Sequence, residues 1–176
     1  MTIKIQRLLE RAKKIAKKGG HKEAQKLYET VLEDSPNNQE AKKGLLALQQ
    51  GKDQRSAPKT EIQSVFALYS NGQTQEALDA IEALTKDYPN EPLLYNISGA
   101  CYKKIGQLDD AAKSFEKAVT LKPDYAEAQY NLGIVLRELG QVDAAIKSYE
   151  NALAIKHAYP NVHNNLGNIF LELSHL

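Results

Sequence analysis

Residues 99–157 read GACYKKIGQLDDAAKSFEKAVTLKPDYAEAQYNLGIVLRELGQVDAAIKSYENALAIKH. Sliding this stretch along itself by 34 residues places Gly99 on Gly133, Gly106 on Gly140, Ala111 on Ala145 and Phe115 on Tyr149. The same interval reaches back to Gly72, Ala77 and Ile81 and forward to Gly167, and it separates Pro89 from Pro123. The next place in the proline series is His157. Several columns sharing one long period mark stacked copies of a single supersecondary unit.

Within a unit the apolar residues recur at helical spacing: Ile97, Ala100, Cys101 and Ile105, then Leu108, Ala111, Ala112, Phe115, Ala118 and Val119. Gly106-Gln107 and Gly140-Gln141 part the two runs, echoed by Gly72-Gln73. Glycine there suits the left-handed residue just past a helix end. Asp124 followed by Glu127 predicts an N-cap with a reaching acid for the helix after Pro123. Each unit therefore reads as helix, tight turn, helix, proline-marked loop. Gly99, Gly133 and Gly167 fall inside first helices, where glycine costs about 1 kcal/mol relative to alanine. Close approach of a neighbouring helix is expected to offset that cost, with Ala111 and Ala145 in the same contact and Phe115 and Tyr149 filling the adjacent gap. A lone hairpin cannot bury both apolar faces, so the units must stack.

Counted from Pro92, one unit carries Tyr95, Ser98, Gly99, Tyr102, Ala111, Phe115, Ala118 and Pro123. This pattern resembles the tetratricopeptide repeat family, with Ser98 standing in a leucine place. The next unit has Gln129, Leu132, Gly133, Leu136, Ala145, Tyr149, Ala152 and His157, departing at Gln129 and His157. The unit before it is degenerate in its first helix, at Glu61, Ser64 and Val65, and the last, with Leu166-Gly167 and Phe170, holds one helix. An N-terminal copy runs from Ile5 through Leu8, Ala12, Ile15, Ala24, Tyr28 and Val31 to Pro36. The resemblance implies an all-α fold: a right-handed α-solenoid of antiparallel helix pairs, its concave side lined by first helices.

The expected organisation is a basic helical unit over 1–50 (a repeat at 5–38 plus a helix at 39–50), a linker over 51–59, and an array over 60–176. The array divides into repeats near 58–91, 92–125 and 126–159 and a partial one at 160–176. The linker, GKDQRSAPK, carries almost no apolar side chain and is expected to be mobile or loosely packed. The formal net charge of +1 conceals an asymmetry. Residues 1–59 hold 14 Lys/Arg against 7 Asp/Glu, and residues 60–176 hold 9 against 15.

Composition excludes several classes. No uncharged apolar run approaches the ~20 residues of a membrane helix, so no membrane insertion is expected. The N-terminal stretch has no apolar core of a secretory signal, which makes cytoplasmic the expected location. A single cysteine, Cys101, excludes an internal disulfide framework and a cysteine metal cluster. The four histidines have no metal-ligand spacing with it. Asp109 and Asp110 are adjacent, so they do not face each other on a helix; they enrich its first turn with acid. Cys101 reads as a small core residue. Gly19-Gly20 lacks a phosphate-loop pattern. No enzyme, cofactor or metal is expected. The basic first helix, with Lys4, Arg7, Arg11, Lys13, Lys14, Lys17 and Lys18, interleaves its charges with an apolar stripe and has no aromatic residues to stack bases. It reads as the solvated face of a packed helix rather than a nucleic-acid surface.

By the same resemblance, the second, fifth, sixth, ninth and twelfth residues of each first helix face the groove. The candidates are Asn131, Asn165, Tyr130, Asn164, Asn168, Arg137 and Lys103. Asn131 and Asn165 occupy equivalent places, and asparagine presents a donor and an acceptor together, which matches a peptide backbone. This resembles the asparagine ladder in the repeat arm of O-linked N-acetylglucosamine transferases, reduced to two rungs. The family's lysine and asparagine clamp for chaperone C-termini is not matched, because Ile62, Asn96 and Tyr130 stand where its first lysine would be. The expected function is a non-catalytic scaffold that binds a protein or peptide segment in the groove. The alternative is the substrate-recruiting arm of a larger glycosyltransferase or sulfotransferase. The sequence stops at Ser174-His175-Leu176, halfway through a unit, which motivates that alternative. It leaves Ile169, Phe170 and Leu173 expecting a cover, so self-association through the terminal helix is a further expectation.

Overall fold

The structure is a computed structural model that describes residues 3–53 and 56–174. These residues form ten α-helices and no strand. The chain divides into two compact units, Met1–Arg55 and Ser56–Leu176.

The first unit holds α1 (Ile3–Lys17), α2 (His21–Asp34) and α3 (Gln39–Asp53). Ile5, Leu9 and Ala12 of α1 meet Ala24, Tyr28 and Val31 of α2, and Ala41 and Leu48 of α3 complete the core. A Cβ on Gly44 would run into the Tyr28 ring, so α3 packs tightly on α2. Three cations of α1 meet carboxylates of this unit: Lys4 with Asp34, Arg11 with Glu23, and Lys13 with Glu40. The basic face is thus partly neutralised within its own unit.

The second unit holds α4 (Lys59–Ser70), α5 (Thr74–Asp87), α6 (Pro92–Lys104), α7 (Leu108–Leu121), α8 (Ala126–Glu138), α9 (Val142–Ile155) and α10 (Pro160–Ser174). Proline opens α6 and α10, where its missing N–H costs nothing. The turns behave as their glycines require: Gly106 and Gly140 have φ of 78° and 76°. At the first of these turns the Gln107 N–H closes back on the Tyr102 carbonyl at 2.9 Å. The core follows the repeat columns. Ala111, Phe115, Ala145, Tyr149 and Ala152 are all buried, and Val135, Val162 and Ile169 complete the same cluster.

The close approach expected at the helix-interior glycines is present at two of three. A Cβ on Gly99 would stand 2.7 Å from the Phe115 ring, and one on Gly133 would stand 2.6 Å from Tyr149. A Cβ on Gly167 would meet nothing within 4 Å. Among the described residues no second helix packs on that side of α10. Ile169, expected to lack a cover, is 1% exposed because it turns inward to the cluster shared with α9, whereas Phe170 and Leu173 are exposed.

Two local expectations need correction. Asp124 is not an N-cap. The Tyr125 N–H bonds back to the Lys122 carbonyl at 3.1 Å, which keeps Asp124 inside the preceding turn, and α8 starts after Tyr125 without a side-chain cap. The linker also differs from 51–59. Helix α3 continues to Asp53, residues 54 and 55 lie outside the described residues, and α4 begins at Lys59. Ala57 in between is buried, and its N–H is held by Glu91 Oε2 at 3.2 Å.

Candidate functional site

The first helices of the second unit lie side by side, α4 on α6 and α6 on α8. Near their C-terminal ends a polar contact recurs at an interval of 35 residues, one repeat plus one. Lys104 sits over the Tyr69 ring at 5.3 Å, Lys103 pairs with Glu138 at 3.1 Å, and Arg137 pairs with Glu172 at 2.5 Å. These groups are substantially exposed, and such pairs are worth about 0–1 kcal/mol, so they orient more than they stabilise. Lys103 and Arg137 are consequently engaged with neighbours.

The asparagines are engaged too. Asn131 Nδ2 donates to Asn96 Oδ1 at 3.2 Å, and Asn96 Nδ2 donates to Glu127 Oε1 at 3.4 Å. Asn96, which the sequence marks only as standing in a lysine place, is a buried polar residue; its signal is an amide at the unit's fifth place, inside an apolar helix. Burial pushes the adjoining Tyr125 phenol up to about 12, the Glu127 charge adding to the rise and an Asn96 hydrogen bond opposing it. Asn165 Nδ2 donates to the Tyr149 hydroxyl at 3.2 Å. Asn131 and Asn165 therefore occupy equivalent positions but make unlike bonds. They are half-buried braces inside the protein rather than two open rungs, and a ligand has to compete with those bonds.

Three candidates converge. Tyr130, Ile134, Arg137 and Glu138 of α8, Tyr149 of α9 and Asn165 of α10 line a cleft of about 370 Å3. Tyr130 stacks at a tilt on Tyr149 and Tyr159, with ring centroids 6.2 and 5.1 Å apart. The cleft thus has an aromatic and aliphatic wall with a guanidinium, a carboxylate and an amide at its edge. Asn131 and Lys103 do not line it, although Lys103 reaches its Glu138. Asn164 and Asn168 are exposed and lie outside the lining.

Cys101 is buried, and burial pushes its thiol up, away from the thiolate. Among the described residues no cluster of three or more His, Cys, Asp or Glu is placed to hold a metal ion. No helix among them is long and apolar enough to cross a membrane.

A family model described as "TPR repeat" matches residues 99–136 and 135–174, and one described as "Tetratricopeptide repeat" matches residues 64–91. The chain belongs to the tetratricopeptide repeat family. Among curated relatives of this repeat protein, the peroxisomal targeting signal receptor of Candida glabrata is 30% identical over 66 residues, 38% of this chain and 11% of the receptor. The anaphase-promoting complex subunit 3 of Dictyostelium discoideum is 36% identical over 56 residues, 32% of this chain and 6% of that protein. The repeat protein thus aligns with about a tenth or less of the length of these relatives. In solved structures its fold is similar to MamA, with a TM-score of 0.63 at 22% identity, covering 99% of this chain and 86% of that one. It is also similar to the first TPR domain of Spaghetti (RPAP3) bound to an HSP90 peptide, with a TM-score of 0.63 at 22% identity over 65% of this chain and 91% of that one.

Proposed function

We propose that this tetratricopeptide repeat protein is a non-catalytic interaction scaffold, and that the side of its array built from α6, α8 and α10 holds a segment of a partner protein. The observation that carries the reading is the convergence of Tyr130 and Arg137 from α8 and Asn165 from α10 on one 370 Å3 cleft. An apolar wall with a few polar groups at its edge suits one inserted side chain flanked by peptide backbone. The RPAP3 domain of like fold was solved with a peptide bound, which supports the class of ligand. The cleft offers a ligand an aromatic and aliphatic wall, the Asn165 amide and the Arg137 guanidinium, whose exposed partner Glu172 holds it only weakly.

The test is selection of peptides from a random-sequence display library on the whole chain, followed by calorimetric titration of a selected peptide. Arg137→Ala combined with Asn165→Ala is expected to weaken binding at least tenfold, or about 1.4 kcal/mol. Equal affinities for wild type and double variant would place binding elsewhere on the molecule.

A further inference from the structure

A second cavity lies on another side of α6, and one substitution within the repeat pattern opens it. Successive units place Ser98, Leu132 and Leu166 at equivalent positions, and all three are buried. Where the later repeats fill the space with leucine, Ser98 leaves it open. The result is a cavity of about 450 Å3 between α5, α6 and α7. Leu78, Ile81, Tyr95 and Tyr102 supply its apolar walls, and its residues from α6 and the C-cap of that helix recur every three or four positions from Tyr95 through Ser98 and Tyr102 to Ile105. At 100° per residue this puts them on a face of α6 roughly opposite Asn96, Ala100 and Lys103. The cavity is therefore separate from the cleft at Tyr130 and Asn165.

The charged side chains lining this cavity are of one sign, and beyond them on the α7 side the cation Lys117 sits over the Tyr95 ring at 5.9 Å. Asp79 and Glu82 line it, and no lysine, arginine or histidine does. Asp79 accepts from Gln75 Nε2 at 3.0 Å, and Glu82 pairs at 3.0 Å with Lys86, both side chains being at least 70% exposed. Such an exposed pair exchanges readily for another cation. The floor adds the hydroxyls of Ser98 and Ser114, 3.5 Å apart, with Ser114 donating to the Asp110 carbonyl at 2.8 Å. A hollow of this size, with apolar side chains in its walls and carboxylates at its rim, complements an apolar side chain with positive charge beside it.

We propose that the Ser98 cavity is a docking pocket for an apolar side chain flanked by lysine or arginine on a partner segment. The apolar group enters the space that leucine occupies in the two later repeats, and the flanking cations pair with Asp79 and Glu82.

The experiment titrates the whole isotope-labelled chain with short capped peptides and follows amide shifts by NMR. The probe is acetyl-Lys-Phe-Lys-amide; the controls are acetyl-Glu-Phe-Glu-amide and acetyl-Lys-Ala-Lys-amide. The lysine–phenylalanine peptide is expected to shift Leu78, Ser98 and Ser114 saturably, at least fivefold more tightly than either control. Ser98→Leu fills the hollow with the residue of the two later repeats and is expected to abolish those shifts while the melting temperature holds or rises. Asp79→Asn with Glu82→Gln keeps the hollow and is expected to weaken binding at least threefold and flatten its salt dependence. No shifts at this cavity up to 10 mM peptide, equal shifts with the acidic peptide, or shifts that persist in Ser98→Leu would each overturn the proposal. Asn165→Ala is expected to leave these shifts unchanged, which separates this site from the cleft on α8 and α10.

Discussion

The Gly133 backbone lies directly under the Tyr149 ring: a Cβ there would stand 2.6 Å from Cε1 and 2.7 Å from Cδ1. The ring is buried and its hydroxyl is braced by Asn165, so a retreat would disturb its packing and break that bond. Gly133→Ala is expected to destabilise the second unit by about 1–3 kcal/mol through overpacking. Gly167→Ala meets open space inside a helix and is expected to stabilise by up to about 1 kcal/mol. Thermal melts of the two variants should move in opposite directions; a shared direction would remove the ring contact as the reason for the glycine column.

Ala111 is fully buried in the same core cluster as Tyr149. Ala111→Leu is expected to cost about 1–3 kcal/mol, because the added carbons have no void to enter. A denaturant midpoint equal to that of the wild type would show that the alanine column is not packed as described.

Asn164 and Asn165 are neighbours in sequence with different duties. Asn165→Ala deprives the buried Tyr149 hydroxyl of its partner and is expected to cost about 1 kcal/mol, a shift of roughly 2–4 °C in Tm for a chain of this size. Asn164 is exposed, and Asn164→Ala is expected to leave Tm within about 1 °C. Calorimetric melts of both variants check the pair.

Tyr125 gives a pH dependence whose sign is fixed. Its phenol is pushed up to about 12 in the folded chain, mainly by burial, from an unfolded value near 10. Its contribution is complete below pH ~10 and is lost as pH rises toward 12, because the unfolded chain releases the proton first. Tyr125→Phe is expected to show a shallower loss of stability between pH 10 and 11.5. Burial also raises Tyr95 and Tyr149, so the slope diminishes without vanishing. Urea midpoints at pH 8, 10 and 11 make the comparison.

The period of 34 made the helix pairs legible, because columns such as Gly106 and Gly140 encode backbone geometry that only a turn satisfies. Gly99 and Gly133 were legible for a related reason: their cost in a helix demands a contact. Gly167 was misread because a column records the habit of the family, whereas a contact needs the partner helix in place. Asn131 and Asn165 share a column yet differ in bonding, since each depends on what its neighbour offers: an amide at Asn96 and a phenol at Tyr149. Ser98 stood out as a departure from the pattern, but the hollow beneath it depends on side chains of three helices and has no one-dimensional trace. Asp124 failed as a cap by a shift of one turn residue.

The contacts spaced 35 residues apart also constrain how this chain can be edited. An excision of residues 126–159 would bring Lys103 to Glu172, preserving the match of cation to carboxylate. An excision of residues 92–125 would instead set the electron-rich face of Tyr69 against the Glu138 carboxylate, where Lys104 now sits. The copies are near-identical in framework and unequal at their seams, so their order carries information that a count of repeats does not. Loss of one copy is a silent deletion at this junction, and loss of the other is a mismatch.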